Sequence, residues 1–211
     1  YMKKIIYLIA VCLTMGVLSS CTKYNFDDTG LANGKHDMTM WEYFKSDSYN
    51  WDSLRVMTER AGLVSLFQGT SQYGKDFTFF GPTNHSIRRY LYKNGMTSVS
   101  EIPVSDCKKF ILNCLLPHKH IMLDDFKTGT KSSDASNPIG KGGETFTMAS
   151  GEKLWIYTFR ESYDGVPNAG PLQIYLVSPT TTKTTRVASC NIETQTGVVH
   201  SLDYNFSLTD F

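Results

Sequence analysis

Long apolar runs are almost missing from this 211-residue chain: one uncharged stretch, Ile5 to Leu18, stands at its start and none follows. Charge of one sign is missing too. With 21 Lys+Arg against 20 Asp+Glu the chain is formally +1, which excludes a polybasic nucleic-acid binder. At 19% charged and 41% hydrophobic it has the apolar content to bury a core rather than stay disordered. Cysteine is sparse, five residues with no C-x-x-C spacing, so neither a disulfide-dense scaffold nor thioredoxin-like chemistry is supported. Sixteen Gly and seven Pro are too few for a collagen-like or low-complexity chain. The catalytic signatures are lacking as well. There is no H-E-x-x-H, Gly69-Thr70-Ser71-Gln72-Tyr73-Gly74 is not G-x-S-x-G, and Gly140-Lys141-Gly142-Gly143 lacks the Walker spacing and reads as flexible loop. No pattern calls for a cofactor.

What is present begins with an address. Lys3-Lys4 form a basic start to an apolar stretch that, as a helix of about 14 residues, would reach about 21 Å, short of a hydrocarbon core of about 30 Å. That is signal-peptide length. Leu18-Ser19-Ser20-Cys21 resembles the bacterial lipobox, which implies cleavage before Cys21 and acylation of that residue. Residues 1–20 are thus expected to be a lipoprotein signal and 21–37 a lipidated polar tether, with Asp27-Asp28 a feature that could assist export to the surface. Acylation with more than one chain gives stable anchoring, so the expected location is the outer membrane of a Gram-negative envelope, at the cell surface. Removing Lys3 and Lys4 turns the formal charge from +1 to −1. Electrostatics then selects no strongly charged partner.

Three cysteines remain beyond Cys21: Cys107, Cys114 and Cys190. An odd number permits at most one internal disulfide. Cys114 with Cys190 is one possibility, three small buried thiols the other.

Residues 38–211 read as one α+β domain, helices first and strands after. Thr39 caps a helix from Met40, and Asp47 or Ser48 caps the next, whose Trp51, Leu54, Met57, Thr58 and Ala61 share a face before Gly62 stops it. A short turn over 63–67 leads to a strand, Phe77 to Gly81, running into Pro82. Thr83 or Asn84 caps a helix ending at Asn94-Gly95. Ser105 caps another, carried by Cys107, Phe110, Ile111, Cys114 and Leu115 until Pro117. Residues 128–143 are rich in Thr, Lys, Ser and Gly and predict a mobile loop. Strands follow at 145–148 and 154–159 around Ser150-Gly151, at 172–177, at 187–193 and at 198–206.

Phe77-Thr78-Phe79-Phe80-Gly81-Pro82-Thr83-Asn84 resembles the first signature of the fasciclin (FAS1) family, a strand ending in Phe-Ala-Pro-Thr-Asn. Gly197-Val198-Val199-His200-Ser201-Leu202-Asp203 resembles the second, Asn-Gly-Val-Val-His-Val-Ile-Asp, about 115 residues on. Asn113-Cys114-Leu115-Leu116-Pro117 stands where the family commonly has Tyr-His-Val-Val-Pro. The resemblance covers roughly 38–208 and implies a single FAS1-like domain: a twisted β-wedge or sandwich with a helical layer. Gly81 departs from Ala, Thr196 from Asn, and Asn113-Cys114 from the Tyr-His pair associated with integrin-type adhesion, which is therefore not carried over. Phe80, Pro82, Thr83, Asn84, Gly197, Val198, Val199 and His200 are expected to be fold determinants first.

Other candidates for chemistry are few. His118 and His120 with Asp124 form a metal-like cluster, though i and i+2 imidazoles on an extended loop point apart. Trp41, Tyr43, Tyr49, Trp51 and Trp155 could stack on sugars, yet sit where packing uses them. The loop over 160–170, with Arg160, Tyr163, Asp164 and Asn168, is the leading interaction candidate because it is long, polar and carries a tyrosine. The expected function is a non-enzymatic, lipid-anchored surface module that binds a glycan, matrix or protein partner. The alternative is an accessory subunit of an outer-membrane uptake or surface-fibre assembly.

Overall fold

The computed structural model describes residues 34–134 and 136–211. The signal segment, Cys21 and the tether as far as residue 33 lie outside them. Residues 34–37 were expected to belong to the tether, but they lie along the sheet. Lys35 bridges Glu193, His36 N–H donates to the Glu193 carbonyl, and Gln195 N–H donates to Met38.

Among the described residues, five α-helices come mainly from the first half: α1 Met40–Ser46, α2 Ser48–Arg60, α3 Val64–Phe67, α4 Asn84–Lys93 and α5 Val104–Asn113. Helix α1 starts at a reciprocal cap, with Thr39 Oγ1 accepting from Glu42 N–H and the Glu42 carboxylate accepting from Thr39 N–H. Asp47 caps α2 by accepting from Asn50 N–H. Gly62, at φ +67°, ends it. Helix α5 departs from expectation at both ends. Pro103 rather than Ser105 holds the cap position, and the helix stops at Asn113. Leu115–Leu116, which fit the helical spacing, instead form strand β2 against Phe79 and Thr78. A buried edge left unpaired is worse than a shortened helix, so pairing wins.

The strands are β1 Phe77–Gly81, β2, β3 Gly129–Thr130, β4 Lys141–Gly142, β5 Glu144–Thr147, β6 Lys153–Arg160, β7 Leu172–Val177, β8 Thr184–Thr194 and β9 Gly197–Leu202. Seven form a sheet in the order β2-β1-β9-β8-β7-β6-β5, all antiparallel except β1 with β9. Strand β8 is the joint. Its residues 184–186 pair with β7 and residues from Val187 onward pair with β9, with register shifts between Val187 and Ile192. Such bulges bend a strand, so β8 joins two half-sheets. Strand β9 ends at Leu202 rather than 206, because Asp203 turns to bond Arg186 through backbone and side chain.

The main core lies between the helices and one face of this sheet. Phe44, Trp51, Phe67 and Phe79 meet there as rings 4.8–6.0 Å apart, tilted or edge-on as aromatic quadrupoles prefer. Gly81 belongs to this contact. An added Cβ would lie 2.6 Å from the Trp51 ring, which accounts for the departure from the family's alanine.

A second, smaller cluster occupies the opposite face of β6 and β7. Leu154, Ile156 and Thr158 point to the main core, while Trp155, Tyr157 and Phe159 alternate with them on the other side beside Tyr175 and Val177. A strand apolar on both faces needs cover on both. Residues 128–143, expected as a mobile loop, supply it through the β3–β4 pair. Trp155 Nε1 donates to the Gly142 carbonyl at 3.0 Å. Side chains at Gly129 or Gly143 would collide with Tyr157 and Trp155. These glycines are there for close approach, not for flexibility.

Candidate functional site

The two signature segments meet as the parallel pair β1–β9, with Phe80 opposite His200 and Phe79 opposite Val199. A Cβ at Gly197 would overlap the Phe77 carbonyl, so glycine is required where the strands begin to run together. Val198 and Val199 are buried in the sheet. The His200 ring lies against Phe80, centroids 5.6 Å apart, and edge-on to Phe126 at 5.7 Å. Its Nδ1 accepts from Asn191 N–H at 3.3 Å and its Nε2 lies 2.9 Å from the Ile121 carbonyl. One nitrogen accepting and the other donating is the pattern of a neutral imidazole with its proton on Nε2. Burial pushes its pKa down to about 4, outweighing the upward pull of the Ile121 carbonyl. The ring has no free nitrogen and no route to solvent chemistry.

Pro82 and Thr83 are buried between β1 and α4. Thr83 holds the cap position of α4 but its hydroxyl makes no capping bond. Asn84 does not cap its own helix either. Its Oδ1 accepts from Ser53 N–H at 2.7 Å, and its Nδ2 donates to the Ser48 and Tyr49 carbonyls at 2.9 and 2.7 Å. One side-chain amide thus clasps the first turn of α2 to the start of α4. Thr196, the other departure, plays a similar part. Its hydroxyl accepts from Met40 N–H at 3.0 Å and donates to the Phe67 carbonyl at 3.2 Å, tying the β8–β9 turn to α1 and α3.

At the position of the family's Tyr-His pair, Asn113 and Cys114 are buried. Asn113 Nδ2 donates to the Phe211 carbonyl at 2.9 Å. Burial drives the Cys114 thiol far above the ordinary range. Cys107, Cys114 and Cys190 are free thiols, so the possible Cys114–Cys190 pairing is not realised. Cys114 leads into β2, and β1 and β9 intervene before β8. Three strand spacings are about 14 Å, twice the reach of a disulfide.

Among the described residues no three His, Cys, Asp or Glu side chains gather to hold a metal. His118 is exposed at φ +55°, and His120 instead faces Glu193 at 3.9 Å. Asp124 stands exposed in the 3-10 turn Leu123–Asp125.

The loop over 160–170 is an ordered continuation of the β6–β7 hairpin. Tyr163 and Val166 exchange both backbone hydrogen bonds around Asp164-Gly165, whose φ angles are +49° and +76°, the two-residue turn that Asp-Gly favours. Asn168 also takes a positive φ, and Arg160 Nη1 donates to the Gly170 carbonyl at 3.1 Å. Arg160, Asp164 and Asn168 therefore build the tip, and Tyr163 and Val166 are what it presents, 69% and 57% exposed.

A region that the linear reading missed lies where β8 changes partner. A pocket of about 270 Å³ is lined by Tyr175, Arg186, Asp203, Asn205 and Asp210 among others. Arg186 Nε donates to the Asp203 carboxylate at 2.9 Å. Burial would raise the Asp203 pKa, but the Asn205 N–H and Arg186 outweigh it and hold the carboxyl below its ordinary range. Tyr175 stacks on Tyr157 at 5.3 Å, and Tyr157 on Trp155 at 4.4 Å, so an aromatic row leads to the pocket wall. The apolar run from Leu154 to Tyr157 in β6 marks two covered faces, but no spacing in the sequence marks the pocket itself.

No family model matches the chain, and no curated protein matches it. Among solved structures the chain is similar to a FAS1 domain pair from the insect cell adhesion molecule fasciclin I, with a TM-score of 0.51 and 15% identity, over 79% of this chain and 50% of that one. The fold is FAS1-like. The chain spans about half the length of that structure, and at this identity the likeness is one of fold. Within the FAS1-like fold the signature residues are internal ties, whereas the hairpin tip and the pocket at the β8 joint are open to solvent.

Proposed function

We propose that this chain is a lipid-anchored, non-enzymatic surface module of fasciclin type that binds a glycan, matrix or protein partner. The observation that carries the reading is the FAS1-like fold, shared with a domain pair from a cell adhesion molecule. Two features support it. The buried titratable groups at the signature, His200 and Cys114, are locked in neutral forms by burial. The hairpin tip, closed by the Tyr163–Val166 backbone pair, presents an exposed aromatic and an exposed aliphatic side chain as a contact surface. Anchoring through Cys21 rests on the Leu18-Ser19-Ser20-Cys21 motif.

The test is adhesion of intact bacteria bearing the wild-type chain, the Cys21→Ala variant or no chain to immobilised matrix proteins and glycans. Adhesion that needs both the chain and Cys21 supports the reading. Equal adhesion by all three strains contradicts it.

A further inference from the structure

We infer that the pocket at the β8 joint is a subsite for a neutral, hydroxyl-rich ring, a sugar residue of a glycan. The inference rests on the surface-module reading and deepens it by naming the ligand class and the place where it is held.

A sugar ring offers an apolar C–H face and a rim of hydroxyls, each both donor and acceptor. Recognition therefore needs an aromatic wall together with donors and acceptors in one pocket. Tyr175 is the wall. Tyr157 covers one face of the Tyr175 ring, and the Tyr175 hydroxyl donates to the Glu161 carboxylate at 2.8 Å and lies 3.0 Å from the Gln173 amide oxygen. The ring is thus fixed before any ligand arrives. Arg186 is held by Asp203 through Nε alone, and half of its side chain is exposed. Asn205 is fastened at its carbonyl and Oδ1 by Arg89. One carboxylate oxygen of Asp210 accepts from Ser207 N–H. Donors and acceptors thus stand on a pre-set frame.

Charge and size narrow the class. The lining carries one cation, Arg186, paired with Asp203, and a second carboxylate, Asp210, so the pocket holds no surplus positive charge to draw a free anion. Its volume of about 270 Å³ falls just below the roughly 300–1,000 Å³ of drug-sized sites, room for one ring of a longer chain.

The experiment titrates the full-length chain with methyl α-mannopyranoside, methyl β-galactopyranoside, N-acetylglucosamine and maltotetraose, following backbone amide NMR shifts. The expected result is saturable shifts at Tyr175, Arg186 and Asn205 for at least one of the four. Asn205→Ala and Asp210→Asn should each weaken binding about tenfold, the loss of one good hydrogen bond, with the melting temperature unchanged. Val104→Ser, an exposed position outside both the pocket and the hairpin tip, should leave sugar binding intact. Absence of saturable shifts, shifts mapping elsewhere, or affinity unchanged in both variants overturns the inference, as does a peptide or protein occupying this pocket while every sugar fails. Cell adhesion separates the two levels. If wild-type cells adhere and the pocket variants adhere equally, the glycan subsite falls while the surface module stands. If wild-type cells do not adhere, the module reading itself falls.

Discussion

A histidine buried neutral makes stability depend on pH in a direction that can be worked out from the structure. His200 has a folded pKa of about 4 against 6.5 for the free side chain. The unfolded chain binds a proton below 6.5 that the folded chain refuses until about 4, so stability rises with pH across that window. The contribution is fully present above 6.5 and is lost as pH falls toward 4. Between pH 7.5 and 4.5 the loss is about 2.5 kcal/mol from this residue alone. Exposed carboxylates with lowered pKa, Glu101 and Glu144 among them, add their loss mostly below that range. His200→Phe removes the titration while keeping an aromatic ring against Phe80 and Phe126. It strands the Asn191 N–H and Ile121 carbonyl, lowering stability at neutral pH by about 2–4 kcal/mol. Urea unfolding of both proteins at pH 7.5, 6.0 and 4.5, read by tryptophan fluorescence, separates the effects. The variant should be weaker at pH 7.5 and should have a flatter pH dependence. Equal slopes for the two proteins, or a His200 pKa near 6.5 by NMR titration, would refute the reasoning.

Four further outcomes follow from particular contacts. Asn84→Ala removes three side-chain bonds to the backbone and should lower unfolding free energy by about 2–3 kcal/mol, whereas Thr83→Ala, whose hydroxyl caps nothing, should cost about 0.5 kcal/mol or less; paired urea titrations compare them. Thr196→Val keeps the shape but strands Met40 N–H and the Phe67 carbonyl, and calorimetry should show about 2 kcal/mol of destabilisation. Gly81→Ala pushes against the Trp51 ring and should cost about 1–3 kcal/mol, visible as a shifted denaturation midpoint and altered Trp51 fluorescence. In native protein a thiol reagent should modify Cys190 before Cys107 and Cys114, and mass spectrometry should find no disulfide among the three; an oxidised Cys114–Cys190 pair would contradict the strand order.

Much of the fold was legible because its signals are local. The Thr39–Glu42 cap, the Asp-Gly tip at 164–165 and the alternation of Leu172–Val177 each involve residues a few positions apart. The strand Phe77–Gly81 showed itself through Pro82. What escaped was set by distant pairing. Leu115–Leu116 satisfy a helix and a strand equally, and β1, far back in the sequence, decides between them. Residues 34–37 look like tether until Glu193 offers an edge. Gly140-Lys141-Gly142-Gly143 reads as slack unless Trp155 is placed beneath it. The candidate site divides in the same way. Signature residues were recognisable and turned out internal, though Asn84 clasps a neighbouring helix rather than capping its own. Tyr175, Arg186, Asp203 and Asp210 come from β7, β8 and the segment after β9, and no spacing in the chain announces that β8 brings them together.

The proposal that a FAS1-like domain is held at the cell surface by a lipid on Cys21 is tested most directly by metabolic labelling with an alkyne fatty acid combined with protease treatment of intact cells. Wild type should carry the label and be shaved from whole cells, and Cys21→Ala should lose the label. A labelled chain protected from protease until the outer membrane is breached would place the domain inside the envelope, contradict a surface-binding role and favour an accessory subunit of an envelope assembly. An unlabelled wild-type chain would contradict the anchor itself.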